Sequence, residues 1–187
     1  MNILVAITGA SGAIYARQTL QLLCASDQTD SVGLILSDHA ADVITAEGEA
    51  LPEDGKITRF SNDDMWSSAA SGSARWDAMI VVPASMGTVG RIATGVSRAL
   101  IERAADVMLK ERRPLVMVVR EAPYSLIHLR NMTTLTEAGA IILPASPAFY
   151  FRPTDIETLC LGITTRALEM LGLKVEHPRW GEKQEKF

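Results

Sequence analysis

The sequence predicts an α/β domain organised around a parallel sheet. Five short apolar runs, rich in Val and Ile, recur along its 187 residues. Segments of helical period lie between and after them. Runs of that length, apolar on both faces, read as buried parallel strands, and their alternation with helices gives the fold class.

The first run is Ile3-Leu4-Val5-Ala6-Ile7, and the others cover 32–36, 78–82, 115–119 and 140–143. The first helix is expected over 13–24, where Ile14, Leu20, Leu22 and Leu23 recur. Others follow over 40–47 and 98–110. A helix over 126–138 ends at Gly139, a residue suited to a left-handed C-terminal cap. The last helix, 154–171, is capped by Thr154 or Asp155 and stops at Gly172. Residues 48–76 have no clean period, and their Gly, Pro, Ser and Asp predict an irregular surface excursion. One domain, 1–187, is expected, with a tail over 174–187 that is polar apart from Val175 and Trp180.

Composition excludes several classes of function. A net charge of −4 gives no long-range field to attract nucleic acid or an anionic membrane. No apolar run reaches the ~18 residues of a membrane span, and the chain opens directly on a strand rather than a signal peptide. A cytoplasmic location is the expectation. Two cysteines, Cys24 and Cys160, make no disulfide framework, and His39, His128 and His177 lack metal-ligand spacing.

Ligands of open parallel sheets bind beyond the carboxyl ends of the strands. Small, hydroxyl-bearing or charged residues follow every predicted strand here. Thr8-Gly9-Ala10-Ser11-Gly12 follows the first and Ser37 the second. Pro83-Ala84-Ser85-Met86-Gly87-Thr88 follows the third, Arg120-Glu121-Ala122-Pro123 the fourth, and Pro144-Ala145-Ser146-Pro147 the fifth, leading to Tyr150. The first loop joins strand to helix, where glycines let the backbone approach a phosphate. It is neither a P-loop nor a full dinucleotide fingerprint, and a tight turn without ligand has the same pattern. A mononucleotide suits it better than NAD, because the residue ending the second strand is Ser37 rather than an acid. Arg103 and Lys110 lie two turns apart on one helix face, either as a solvated ion-paired surface or as a positive face for an anionic leaving group. Arg120-Glu121, just past a buried strand, combines a forked phosphate donor with a proton carrier.

Several of these stretches resemble one family. Thr8-Gly9-Ala10-Ser11-Gly12, Ala70-Ser71-Gly72-Ser73, the block from Glu102 to Val116, Arg120-Glu121-Ala122-Pro123-Tyr124-Ser125 and Pro147-Ala148-Phe149-Tyr150-Phe151-Arg152-Pro153 are similar to the flavin prenyltransferases of the UbiX family. The likeness runs from about Ile3 to Trp180. It implies a three-layer, Rossmann-like fold of flavodoxin type with helices on both sheet faces. It also implies transfer of a dimethylallyl group from dimethylallyl phosphate to N5 and C6 of reduced FMN, without a metal. The product would serve a UbiD-type decarboxylase in ubiquinone synthesis or aromatic acid breakdown, and the subunits would form a dodecamer with sites between them.

By position, the resemblance implies that Gly9, Ala10, Ser11, Ser37, Ser85, Met86, Gly87, Thr88 and Arg120 hold FMN. Lys110, Arg120, Tyr150 and Arg166 would grip the prenyl phosphate, and Trp180 would cover it. Glu121, Ser11, Glu47 and Lys110 would carry the chemistry. Charge preorganised around the leaving phosphate would then do the work that a metal does elsewhere. Ala84 and Gly87 depart from the Cys and Lys that many members carry. Two other functions share the pocket. A flavin-dependent cysteine decarboxylase would need an Asn where Gly87 stands and a His between His39 and His128, and neither is present. A non-catalytic FMN carrier would have no use for Lys110, Glu121 and Arg166.

Overall fold

The structure is a computed structural model, and it describes residues 1–177 and 179–181. The part of the expected tail at 178 and 182–187 lies outside the described residues. Six parallel strands form one sheet: β1 (Asn2–Ile7), β2 (Ser31–Leu36), β3 (Ile57–Phe60), β4 (Ala78–Ala84), β5 (Leu115–Val119) and β6 (Ile141–Pro144). Their order is β3-β2-β1-β4-β5-β6. The five strands expected from apolar runs stand in the flavodoxin-like order, and β3 extends it by one edge strand to the doubly wound order.

Alternation along the strands splits the core into two layers. Ile3, Val5 and Ile7 face α1 (Ala13–Ala25), α2 (Ala40–Ala46) and α6 (Ile156–Met170), where they meet Leu20, Ile44 and Leu168. Leu4 and Ala6 face the other way with Met79 and Val81. There they meet α3 (Met86–Ala93), α4 (Leu100–Lys110) and α5 (Leu126–Glu137) through Val89, Met108 and Leu135. Helices thus cover both faces, as a buried parallel sheet requires.

Two elements were not anticipated. β3 lies inside the supposed excursion 48–76, as does a single 3-10 turn at Ser68–Ala70. Its sequence, Ile57-Thr58-Arg59-Phe60, carries no apolar run because an edge strand buries little, and Thr58 and Arg59 are exposed. The helix α3 was hidden by Gly87 and Gly90, both weak helix formers. Burial of Met86, Val89 and Ile92 at three-residue spacing holds it instead, with Ser85 as its N-cap. The expected caps of the last two helices occur: Gly139 follows α5 at φ +103°, and Asp155, rather than Thr154, accepts the Thr158 amide at 2.7 Å.

Gly33 sits where β2 passes under three side chains. A Cβ there would stand 2.6 Å from Leu4 Cδ2, 2.7 Å from Trp76 Cη2 and 2.9 Å from Phe60 Cε2. Those two rings already pack edge to face at 6.0 Å. Gly33→Ala is expected to lower the unfolding free energy by about 1–3 kcal/mol through overpacking. Urea denaturation of the two proteins measures it, and an unchanged midpoint would show that the rings yield freely.

Candidate active site

The strand order reverses between β1 and β4, so the crevice at their carboxyl ends is the natural binding position. Thr8, 1% exposed, joins the two strands there. Its hydroxyl donates to the Pro83 carbonyl at 2.7 Å and accepts from the Ser85 amide at 2.8 Å. The loop after β1 and the start of α3 are thereby held side by side. The next loop is drawn in by the Ser37 amide, which donates to the Ile7 carbonyl at 2.9 Å. Gly9 permits the approach, since a Cβ on it would stand 2.9 Å from His39 Cβ. Gly9, Ala10, Ser11, Ser37, Ser85, Met86, Gly87 and Thr88 are therefore brought to one corner. Among them Ser11, Gly9 and Gly87 are exposed, while Ala10, Met86 and Thr88 are buried.

Glu47, the C-terminal cap of α2, reaches across to the first turn of α1. Its carboxylate accepts from the Gly12 amide at 3.0 Å and from the Ala13 amide at 2.7 Å. No side chain of the N-cap residue Gly12 serves those donors, so Glu47 is the cap of α1 from 34 residues away. Partial burial pushes its carboxyl up. Hydrogen bonds from Ser11 and from the Ala13 and Gly12 amides, together with the charge of Arg120, outweigh burial and hold it below the ordinary range. An anion thus already occupies the amides that a phosphate at this helix end would use.

Arg120 follows β5, with its amide on the Ala84 carbonyl at 3.3 Å. Its Nε is buried and has no hydrogen-bond partner among the described residues. A buried, unpaired guanidinium donor is costly, and it fits an acceptor brought by a ligand. Beside it, Glu121 is half-buried and accepts the Ala122 amide at 3.0 Å.

Arg91 and Glu102 were not singled out from sequence. Arg91 pairs through Nε with Glu102 and donates from Nη2 to Thr88 Oγ1 at 3.2 Å. Glu102 also accepts the Ala99 amide at 2.7 Å, the N3-to-N-cap half of a capping box, whose other half Ala99 has no side-chain oxygen to make. That spacing is legible, and so is Arg91 three residues after Thr88. The link between the two helices is not.

Lys110 lies elsewhere. It ends α4, just before β5 begins, and with its partner Glu111 it rests against Gly72, ahead of β4. This is the amino edge of the sheet, and a five-residue strand puts Arg120 about 17 Å away at the other edge. Arg166 also sits low, in the third turn of α6, where it donates to Glu169 at 3.0 Å. Tyr150 packs edge to face on Trp180 at 5.3 Å and on Phe151 at 5.6 Å. Glu169 further gathers His177 at 2.8 Å and Arg179 at 2.5 Å, which binds the tail to α6. Within one chain, therefore, the loops after β1, β2 and β4, Glu47, Arg120 and Glu121 share a corner, whereas Lys110 and Arg166 lie towards the other edge. Among the described residues, no group of three or more His, Cys, Asp or Glu is placed to hold a metal ion, and no helix is long and apolar enough to cross a membrane.

Comparison with known proteins agrees with this geometry. The flavoprotein family model matches residues 1–169. The flavin prenyltransferase UbiX of Pseudomonas aeruginosa is 43% identical over 200 residues, covering 97% of this chain and 95% of its own. A solved UbiX, AnUbiX (PadA1), in complex with FMN and dimethylallyl pyrophosphate, superposes with a TM-score of 0.85 at 39% identity, covering 96% of this chain and 98% of that one. A dodecameric FMN-dependent UbiX-like decarboxylase from Escherichia coli O157:H7 superposes with a TM-score of 0.90 at 35% identity, over 97% of this chain and all (100%) of that one. The chain belongs to the flavoprotein family and, within it, to the UbiX flavin prenyltransferases.

Proposed function

We propose that the chain joins a dimethylallyl group from dimethylallyl phosphate to N5 and C6 of reduced FMN, and that the product passes to a UbiD-type decarboxylase. The single observation that carries the binding site is the buried Arg120 Nε without a partner, at the switch point of the sheet. The residues fit FMN. Gly9 lets the loop after β1 approach His39, Ser37 lies beside it, and Ser85 caps the α3 start that Thr88 continues. FMN, when bound there, supplies the electron-rich ring that receives the prenyl group.

The residues of the chain act on the donor. A dimethylallyl cation is stabilised by delocalisation, so departure of phosphate leads and the protein must neutralise the departing charge. Arg120 and Arg166 would do so with fixed guanidinium forks, and Lys110 with a point charge. Glu121, next to Arg120, would move a proton at the departing phosphate oxygen. Glu47 and Ser11 would border the reaction space from the start of α1, and Tyr150 and Trp180 would shield the cation from water and face it with their rings.

Lys110 and Arg166 would reach this corner only from other copies of the chain, since their own lie towards the opposite sheet edge. A dodecamer with sites between subunits supplies that arrangement. It would also cover the large apolar side chains that the single chain exposes, such as Trp66 at 98%, Ile156 at 70% and Phe149 at 69%.

The first experiment is anaerobic: protein, reduced FMN and dimethylallyl phosphate are mixed and the released flavin is weighed by mass spectrometry. A gain of one prenyl unit is expected, whereas unchanged FMN that stays bound would mean a carrier. Lys110→Ala and Arg166→Ala are each expected to slow prenyl transfer roughly a hundredfold or more while FMN remains bound. Normal turnover by both would remove the phosphate site. Glu121→Gln is expected to reduce the single-turnover rate about a hundredfold with little change in donor affinity. An unchanged rate would remove its proton role. Mixing Lys110→Ala with Arg120→Ala chains, after subunit exchange, is expected to restore part of the activity that each lacks alone. No recovery in verified mixed oligomers would place Lys110 outside a shared site.

A further inference from the structure

We propose that Arg91, held by Glu102, is a positioning residue that turns the Ser85 hydroxyl into a fixed donor towards the flavin. The proposal rests on the reading of Ser85 and Thr88 as flavin residues. Arg91 belongs to the last turns of α3, but its side chain runs back towards the start of the helix. Its Nη1 lies 3.3 Å from where a Cβ would stand on Gly87, and its Nη2 donates to Thr88 Oγ1 at 3.2 Å.

A cation at a helix N-terminus opposes the macrodipole, so something else must hold it there. Glu102 does. Its side chain is 5% exposed, one carboxylate oxygen takes Arg91 Nε, and the other takes the Ala99 amide at 2.7 Å. Both oxygens are engaged, and the pair joins α3 to α4.

The consequence is the direction of a hydrogen-bond chain. Arginine can only donate, so Thr88 Oγ1 must accept from Arg91. Thr88 Oγ1 keeps one lone pair and its proton, and in the proposed arrangement that proton goes to Ser85 Oγ, 3.1 Å away. Ser85 Oγ also receives the Thr88 amide at 3.4 Å. With both acceptor positions filled, the remaining Ser85 proton points outward as a donor. Thr88 is 2% exposed, so water competes little for this chain. Phosphate and carbonyl oxygens of a flavin are acceptors, and a hydroxyl already set to donate binds them without first losing its freedom to rotate.

The test is a double-mutant cycle on FMN affinity, with Arg91→Met, Ser85→Ala and the combination. Arg91→Met removes the donors and keeps the length. It is expected to weaken FMN binding about tenfold in the unsubstituted chain and to change it little in the Ser85→Ala background. The visible spectrum of bound FMN should shift in Arg91→Met as it does in Ser85→Ala. Arg91→Lys keeps Glu102 paired and serves if Arg91→Met does not fold. It cannot bridge Glu102 and Thr88 together, so a smaller loss with the same dependence on Ser85 is expected. Additive losses in the double variant, or an unchanged affinity and spectrum in Arg91→Met, would overturn the proposal. Failure of the unsubstituted chain to bind FMN would instead remove the flavin reading beneath it.

Discussion

The Thr8 hydroxyl is the contact on which the rest of the site depends. It takes one bond from the Ser85 amide and gives one to the Pro83 carbonyl. Regular pairing of β1 with β4 is recorded only as far as Ala6 and Val81, and the register of β4 against β5 shifts between Val81 and Ala84. Pro83, having no N–H, cannot continue a ladder there. A buried side-chain hydroxyl there reinforces the backbone bond from the Thr8 amide to the Pro83 carbonyl at 3.3 Å. It fixes two loops at the one position where neighbouring connections leave the sheet in opposite directions. Every hydroxyl offered to a ligand at this corner is set by that spacing.

Charge is arranged around the same point. A helix start attracts anions, and Glu47 fills the start of α1 with one from inside the fold. Arg120 faces it electrostatically and retains a buried nitrogen with no bond. On the far side Glu102 holds Arg91 against the start of α3. The corner thus contains two carboxylate–guanidinium relationships, one at each helix end. In one of them, Arg120, a donor remains for the ligand. In the other, Arg91, Nε and Nη2 each donate to a protein oxygen. A buried donor without a partner costs stability, which the packing of the two core layers offsets.

Much of the architecture was legible because strands buried on both faces must be apolar throughout. β1, β4 and β5, with nearly every residue buried, were unmistakable on that ground. β3 was not, since an edge strand of four residues makes no such demand. The helix α3 was not, since its glycines speak against it and only tertiary burial forms it. The convergence of the strand-end loops on one corner was legible from strand polarity alone, and the resemblance proposes roles for their residues. The same polarity would have put Lys110 at the opposite edge, because a residue just before a parallel strand stands at its amino end. Reading Lys110 by its spacing from Arg103 gave a helix face and left out the edge. Glu47 illustrates a different limit. Its position reads as a helix end, while its work depends on amides 34 residues away. Arg91 and Glu102 share that limit, as each is ordinary in its own helix and significant only when the two helices meet.

The division of the site follows from these positions. Everything that would hold the flavin lies beyond the carboxyl ends of the strands, on loops that one chain brings together. Lys110 lies beyond the amino ends, on the rim of the same chain. No rotation of a side chain spans a strand's length, so one copy can provide a flavin pocket but not the full set of cations for the departing phosphate. On the proposed reading, holding the flavin and discharging the donor would be separate properties, the first of the fold and the second of an assembly. An enzyme that must keep an allylic cation from water gains from that separation. The charges that would release the cation would then come together only where a neighbouring surface also closes the space around it.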